Sequence, residues 1–238
     1  MKRWPNEVAQ FDMPHYSTMA FEQFLASRGC FREGTKVLDI GSGLGANFGY
    51  FSGKNPGVSF LGLDYNADKV EAGKHLLAEK NILCVDLELG DWFNLPPQYV
   101  GQFDGIYNCH TLCCFKRIEP ALQAIISLSP RWLAFNSLFY EGPMDVLIHI
   151  RDYNKPAITD DNPDGDFNIF SLANIRDILS SNDYVLVGDE PFYPPKDLPR
   201  PAGGSRGSYT MRTELHERTQ FSGTVYLPWR FILAERRA

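Results

Sequence analysis

The residues best placed to do chemistry begin in the stretch 36–50, KVLDIGSGLGANFGY. Asp39 precedes three glycines at alternate positions, Gly41, Gly43 and Gly45. Glycine tolerates positive φ and lets a ligand approach the bare backbone. Val37, Leu38 and Ile40 read as a short buried strand, and 46–51 as the first turns of a helix. The free N–H groups of that helix would face whatever lies over the loop. A strand, a glycine turn and a helix N-terminus together describe a nucleotide-type site.

Two ligands compete for it. GSGLGA satisfies the dinucleotide pattern G-x-G-x-x-G/A, and Asp64 closes the next apolar run, VSFLGL, where a carboxylate can accept from both hydroxyls of a ribose. That pattern admits an NAD-binding oxidoreductase. Asp39 argues against it, because a carboxylate beside the turn repels a pyrophosphate and suits a ligand carrying sulfonium and ammonium charge. On these residues the chain resembles the class I S-adenosylmethionine-dependent methyltransferases, whose first motif has the form hhDhGxGxG.

The resemblance extends through residues 36–115. In that family the acidic residue matching Asp64 holds the ribose, and Tyr65 beside it is placed to pack against the adenine. Gly90-Asp91-Trp92 is similar to the third motif, in which the Asp accepts the adenine amino group and the next residue stacks on the ring. Asp is an acceptor for an exocyclic amine, and Trp offers the broadest π-face. The stretch 102–115, QFDGIYNCHTLCCF, resembles the fourth motif, with Asn108 at the crevice end of its strand and His110 just beyond. The Asn-Pro-Pro-Tyr signature of amino-methylating enzymes is absent, which weighs against N-methylation. Tyr16, in the aromatic lead-in, is a candidate to close over the cofactor, as N-terminal segments do in many members; packing onto the sheet is the competing role for that stretch.

Several elements must position these groups. A helix is expected from Ser17 or Thr18 to about Arg28, and strands over 58–63, 81–86, from Phe103, 131–139 and 183–189. Helices are expected over 67–80, 119–129 and 171–181, and a final strand within 224–235. Such alternation builds a doubly wound sheet, and the resemblance implies a Rossmann-like, mostly parallel seven-stranded sheet with an antiparallel last strand. The whole of 1–238 reads as one methyltransferase domain with a helical lead-in over 1–35. Two long polar stretches, 140–170 and 191–220, read as substrate lids.

The reaction has fewer markers. A hydroxyl acceptor benefits from a general base, and His110 and His149 are the best-placed histidines. Asp145, His149 and Asp152 recur at helical spacing and would share a face. Tyr140, Asp145, Arg151, Arg206 and Arg212 are the candidates for holding the acceptor, the arginines pairing with a phosphate or carboxylate. The expected activity is therefore O-methylation of a small polar acceptor, anionic or sugar-derived. A catalytically silent cofactor-binding scaffold and an N-methyltransferase are the alternatives.

Composition narrows the partners. The net charge of −6 opposes an extended nucleic-acid footprint, and no apolar run approaches membrane-spanning length. The first residues, MKRWPNEVAQFD, lack the apolar core of a signal peptide, and the five cysteines do not form a disulfide framework, so the cytoplasm is expected. Cys109, His110, Cys113 and Cys114 lack the second ligand pair a zinc site needs, so no metal is expected there. The tail RTQFSGTVYLPWRF is similar to that of uncharacterised bacterial methyltransferases. Oligomeric state stays open.

Overall fold

Seven short strands and their crossover helices condense into a central sheet in the order β3-β2-β1-β4-β5-β11-β8. The structure is a computed structural model that describes residues 4–82, 85–150, 165–200, 208–222 and 229–237. The strands are β1 (Lys36–Ile40), β2 (Ser59–Asp64), β3 (Val85–Leu89), β4 (Gly105–Cys109), β5 (Trp132–Ser137), β8 (Tyr184–Pro191) and β11 (Arg230–Arg236). From β3 to β5 every pairing is parallel, while β11 runs antiparallel to both β5 and β8. The mixed, doubly wound sheet expected from the sequence is thus what the chain forms.

Both faces are covered. The helices α2 (Tyr16–Ala26), α3 (Ala46–Lys54) and α4 (Ala67–Glu79) pack Phe21, Phe48, Phe51 and Val70 with Val37 and Tyr107 on one face. On the other, α5 (Ile118–Ile126) and α6 (Leu172–Ser180) bring Leu122, Ile125, Leu172 and Ile175 against Leu38, Ile40 and Ile106. Residues alternate between faces along each strand, so the two-sided burial of β1 follows from its continuous apolar run. Two helix starts are fixed by side chains: Asn66 accepts from the Lys69 amide at 3.1 Å and Ser171 from the Asn174 amide at 3.1 Å.

Four expectations shift. The third strand begins at Val85 rather than Asn81. A helix over the first residues, α1 (Pro5–Ala9), precedes the expected one, and α2 starts at Tyr16 with His15 as its cap. The stretch around Asp145 and His149 is not helical: Val146 and His149 make isolated antiparallel bridges to Ile169 and Asp166. Extended backbone sends neighbours to opposite faces, so the shared helical face does not exist there, and Asp152 lies outside the described residues. Within 191–220 a hairpin forms from β9 (Ser208–Met211) and β10 (Thr219–Ser222), and β6 (Phe139–Tyr140) pairs with β7 (Phe170–Ser171). No helix among the described residues is long and apolar enough to cross a membrane.

Candidate active site

At the C-terminal ends of β1, β2 and β4 the chain turns sharply into a loop without side chains on one wall. Gly41, Gly43 and Gly45 all adopt positive φ. At Gly41 a Cβ would lie 2.8 Å from the Thr111 hydroxyl, so only glycine fits this bend. Thr111 in turn donates to the Gly41 carbonyl at 3.1 Å. Asn108 donates from Nδ2 to the Ile40 carbonyl and accepts the Thr111 and Leu112 amides at 3.2 and 2.9 Å. Nδ2 of this fully buried side chain thus ties the end of β4 to the end of β1, and Oδ1 holds the turn that follows β4. Asn108 is a brace, not the crevice-facing group expected from its position.

Asp64 is nearly buried, and its carboxylate orders the loop. Oδ2 accepts the Gly43 amide at 2.8 Å and Oδ1 the Asn66 amide at 2.9 Å. Each oxygen keeps a lone pair for a ligand hydroxyl. Asp39 faces inward, where the Tyr107 hydroxyl donates to Oδ2 at 3.0 Å. Burial, reinforced by the negative charge of Asp64 and opposed by the Tyr107 hydrogen bond, pushes its carboxyl up to about 8. Asp39 Oδ1 and Ser42 Oγ are buried without hydrogen-bond partners among the described residues.

Three cavities adjoin along this edge. The first, about 440 Å³, runs from Gly41 and Asp64 past Tyr65 and Asp91 to Trp92, Phe93 and Phe115. The second, about 350 Å³, shares Gly41, Asp64, Tyr65 and Thr111 with it and is closed by Glu7, Ser42, Asn47 and Lys69. The third, about 580 Å³, meets the second at Gln10 and His110 and continues to His15, Tyr16, Phe192 and Trp229. Glu7 and Lys69 form an ion pair of 2.9 Å across the second cavity.

Trp92 is 6% exposed and donates from Nε1 to the Ala121 carbonyl at 2.9 Å. It belongs to the core beneath the first cavity, its ring edge-on to Phe115. The half-exposed Phe93 beside it, also edge-on to Phe115, was not singled out from the sequence. Its place one position beyond Trp92 was the available signal. Asp91 is exposed and accepts the Phe93 amide at 3.0 Å.

His110 stands at the junction of the second and third cavities with φ of 66°, a backbone setting histidine tolerates better than most residues. Asn136 Nδ2 and His110 Nε2 are 3.0 Å apart, and the ring lies 4.3 Å from that of Trp229. Burial first, then the charge of His15, lowers its pKa to about 3, against a small opposing effect of the Asn136 hydrogen bond. Burial that disfavours the imidazolium weakens His110 for the general-base role expected of it from the sequence. Burial also lowers His15, a third-cavity residue that sequence reasoning set aside.

The other expected groups fall elsewhere. His149 sits 3.3 Å from Asp166 and lines none of the three cavities. Tyr16 lines the third cavity rather than the glycine loop. Asp145 accepts the Ser171 amide at 2.7 Å, a structural bond. Tyr140 is partly exposed and packs beside Gly142. Arg212 is exposed and absent from the three linings, while Arg151 and Arg206 lie outside the described residues. Cys30, Cys109 and Cys113 are buried thiols, and no cluster of three or more His, Cys, Asp or Glu among the described residues could hold a metal.

Residues 38–129 match the family model described as a methyltransferase domain. A chain from Haloferax volcanii, solved with the Trm112 methyltransferase activator, superposes with a TM-score of 0.64 at 15% identity, covering 100% of this chain and 96% of its own. Magnesium protoporphyrin IX methyltransferase from Synechocystis, solved with bound SAM, gives 0.58 at 14% identity over 93% of this chain and 78% of that one. The [4+2]-cyclase SpnF gives 0.61 at 13% identity, over 92% and 80%. An uncharacterized protein of Rickettsia prowazekii is 31% identical over 109 residues, 44% of this chain and 43% of the relative. The match thus spans less than half of that curated relative. Residues 38–129 are thus similar to a methyltransferase domain, and the chain shares the Rossmann-like fold of these solved structures.

Proposed function

We propose that the protein transfers a methyl group from S-adenosylmethionine to a hydroxyl of a small molecule. The observation that carries this reading is the row of three joined cavities, with His110 at the last junction. The residues present fit the cofactor. Gly41, Gly43 and Gly45 offer a bare cradle, Asp64 a lone pair on each oxygen for ribose hydroxyls, and Asp39 Oδ1 and Ser42 Oγ two buried polar atoms without partners among the described residues. Tyr65, Asp91 and Phe93 wall the first cavity, with Trp92 as its floor. The bound cofactor supplies an electrophilic methyl group on a sulfonium sulfur.

The chain's own work is mostly positioning, which lowers the barrier by holding the reacting partners in line. His110, neutral down to about pH 3, brings no positive charge to the junction. The α1 helix covers the second cavity through the Glu7–Lys69 pair and limits water there. His15 lines the same cavity and is the second imidazole available to accept the hydroxyl proton; burial lowers it in the same direction as His110. Phe192, Pro194, Leu198, Ser208 and Gln220, from the described parts of 191–220, line the third cavity and would act as its lid.

Calorimetry with S-adenosylhomocysteine and NADH tests the cofactor, and transfer of a labelled methyl group to a metabolite extract tests the activity. Tight NADH binding with none of S-adenosylhomocysteine would overturn the first, and cofactor binding without any label transfer would favour the silent scaffold.

A further inference from the structure

The third cavity has a chemistry of its own. Among the described residues that line it there is no Asp, Glu, Lys or Arg. Two ionic groups bordering its surroundings are engaged: Glu7 of the adjoining cavity with Lys69 at 2.9 Å, and Arg218 Nε with the carbonyl of the lining residue Pro194 at 2.9 Å. Its two histidines are both held towards the neutral form, by burial above all. An ionised group held against these walls finds no counter-charge among the described lining residues, which favours an uncharged ligand.

The walls are aromatic and apolar on one side. Trp229 and Phe192 are nearly buried, and Phe167 sets its ring edge-on to Trp229 at 5.9 Å, which fixes that indole in place. Phe192 is backed in turn by Phe231 at 5.5 Å. Rigid flat side chains of this kind recognise flat ligands by stacking and edge contacts. The opposite wall, from α1 and the start of α2, offers uncharged donors and acceptors at Asn6, Gln10 and Ser17. A hydroxyl both donates and accepts, so it suits these groups better than a carbonyl or a methyl would. The volume, about 580 Å³, is that of a small-molecule site.

Resting on the cofactor reading given above, we infer that this cavity receives the methyl acceptor and that the acceptor is an uncharged aromatic ring carrying a hydroxyl group. The anionic acceptor expected from the arginines of the sequence has no described partner inside the chamber. The ring meets the exposed edges of Trp229 and Phe192, and its hydroxyl points to the His110 junction, where the third cavity meets the second.

Two probes of equal ring size separate the possibilities: 2-naphthol, uncharged near neutral pH, and naphthalene-2-sulfonate. Each is titrated by calorimetry into the full chain saturated with S-adenosylhomocysteine. The naphthol is expected to bind at least tenfold more tightly than the sulfonate, and Trp229→Ala to weaken it by tenfold or more while S-adenosylhomocysteine affinity stays constant. Met13→Arg, at an exposed position of the cavity rim, guards against misfolding of the core variant and is expected to move the preference towards the sulfonate. Equal or tighter binding of the sulfonate to the parent chain overturns the inference, as does binding of neither probe or naphthol binding indifferent to both substitutions. Loss of S-adenosylhomocysteine binding by the parent chain would instead overturn the cofactor reading.

Discussion

Asp39 and Tyr107 sit directly opposite each other on the paired strands β1 and β4, and the tyrosine hydroxyl donates to Asp39 Oδ2 at 3.0 Å. Burial raises the Asp39 carboxyl from 3.8 to about 8, so between those values the folded chain holds a proton that the unfolded chain has released. Stability falls with rising pH wherever the native state binds more protons. This contribution is therefore full below pH 3.8 and is lost as pH rises through about 8. Asp39→Asn, which mimics the protonated acid, is expected to flatten the decline between pH 5 and 8 and to exceed the parent's stability at pH 9. Urea denaturation of the ligand-free proteins checks it; parallel pH curves for the two would refute the account.

Asp64 ties Gly43 and Asn66 through one carboxylate, so its loss should disturb loop and ligand together. Asp64→Ala is expected to weaken S-adenosylhomocysteine at least tenfold and to cost about 1–3 kcal/mol of stability for the charge-assisted bonds removed. Asp64→Asn restores acceptor capacity at one atom only and should fall between. Calorimetry and denaturation on the same three proteins provide both readouts.

The two histidines of the third cavity make opposite predictions for the pH–rate profile. His110 does not gain a proton above about pH 3, so His110→Gln should leave the acidic limb of kcat/KM in place even where turnover drops. His15→Gln should remove that limb and lower turnover by about 10²-fold, the usual worth of a positioned base. An acidic limb that vanishes in His110→Gln and survives in His15→Gln would reverse the two roles.

The sequence declared the fold early because β1, β2 and the glycine turn combine local signals that agree: apolar runs, positive-φ glycines and a capping asparagine at Asn66. The first two cavities were legible for the same reason, since Gly41, Asp64, Tyr65 and Asp91 lie within a short span of chain. The third was not. His15, Phe192, Ser208 and Trp229 come from three distant parts of the chain and meet only through the β11 pairing and the hairpin of 208–222. Asn108 and Asp145 misled for a different reason: polar residues at strand ends and in long connections serve their own backbone as readily as a ligand. The helix expected around His149 failed because a polar spacing of three and four carries no weight where bridges to Asp166 and Ile169 hold the backbone extended.

On the proposed cofactor reading, Trp92 and Phe93 divide the roles at the first cavity. Trp92 is committed to the core by its burial and by its bond to the Ala121 carbonyl, while Phe93, 52% exposed, borders the same cavity. Trp92→Phe keeps a ring and loses one hydrogen bond, so it should cost about 1 kcal/mol of stability and spare S-adenosylhomocysteine affinity. Trp92→Ala empties a core position and should cost about 3–5 kcal/mol. Phe93→Ala exposes little and should leave the melting temperature nearly unchanged, yet weaken S-adenosylhomocysteine by several-fold through the lost ring contact. A weakened affinity in Trp92→Phe at unaltered stability, with Phe93→Ala binding as the parent does, would return the stacking role to the tryptophan.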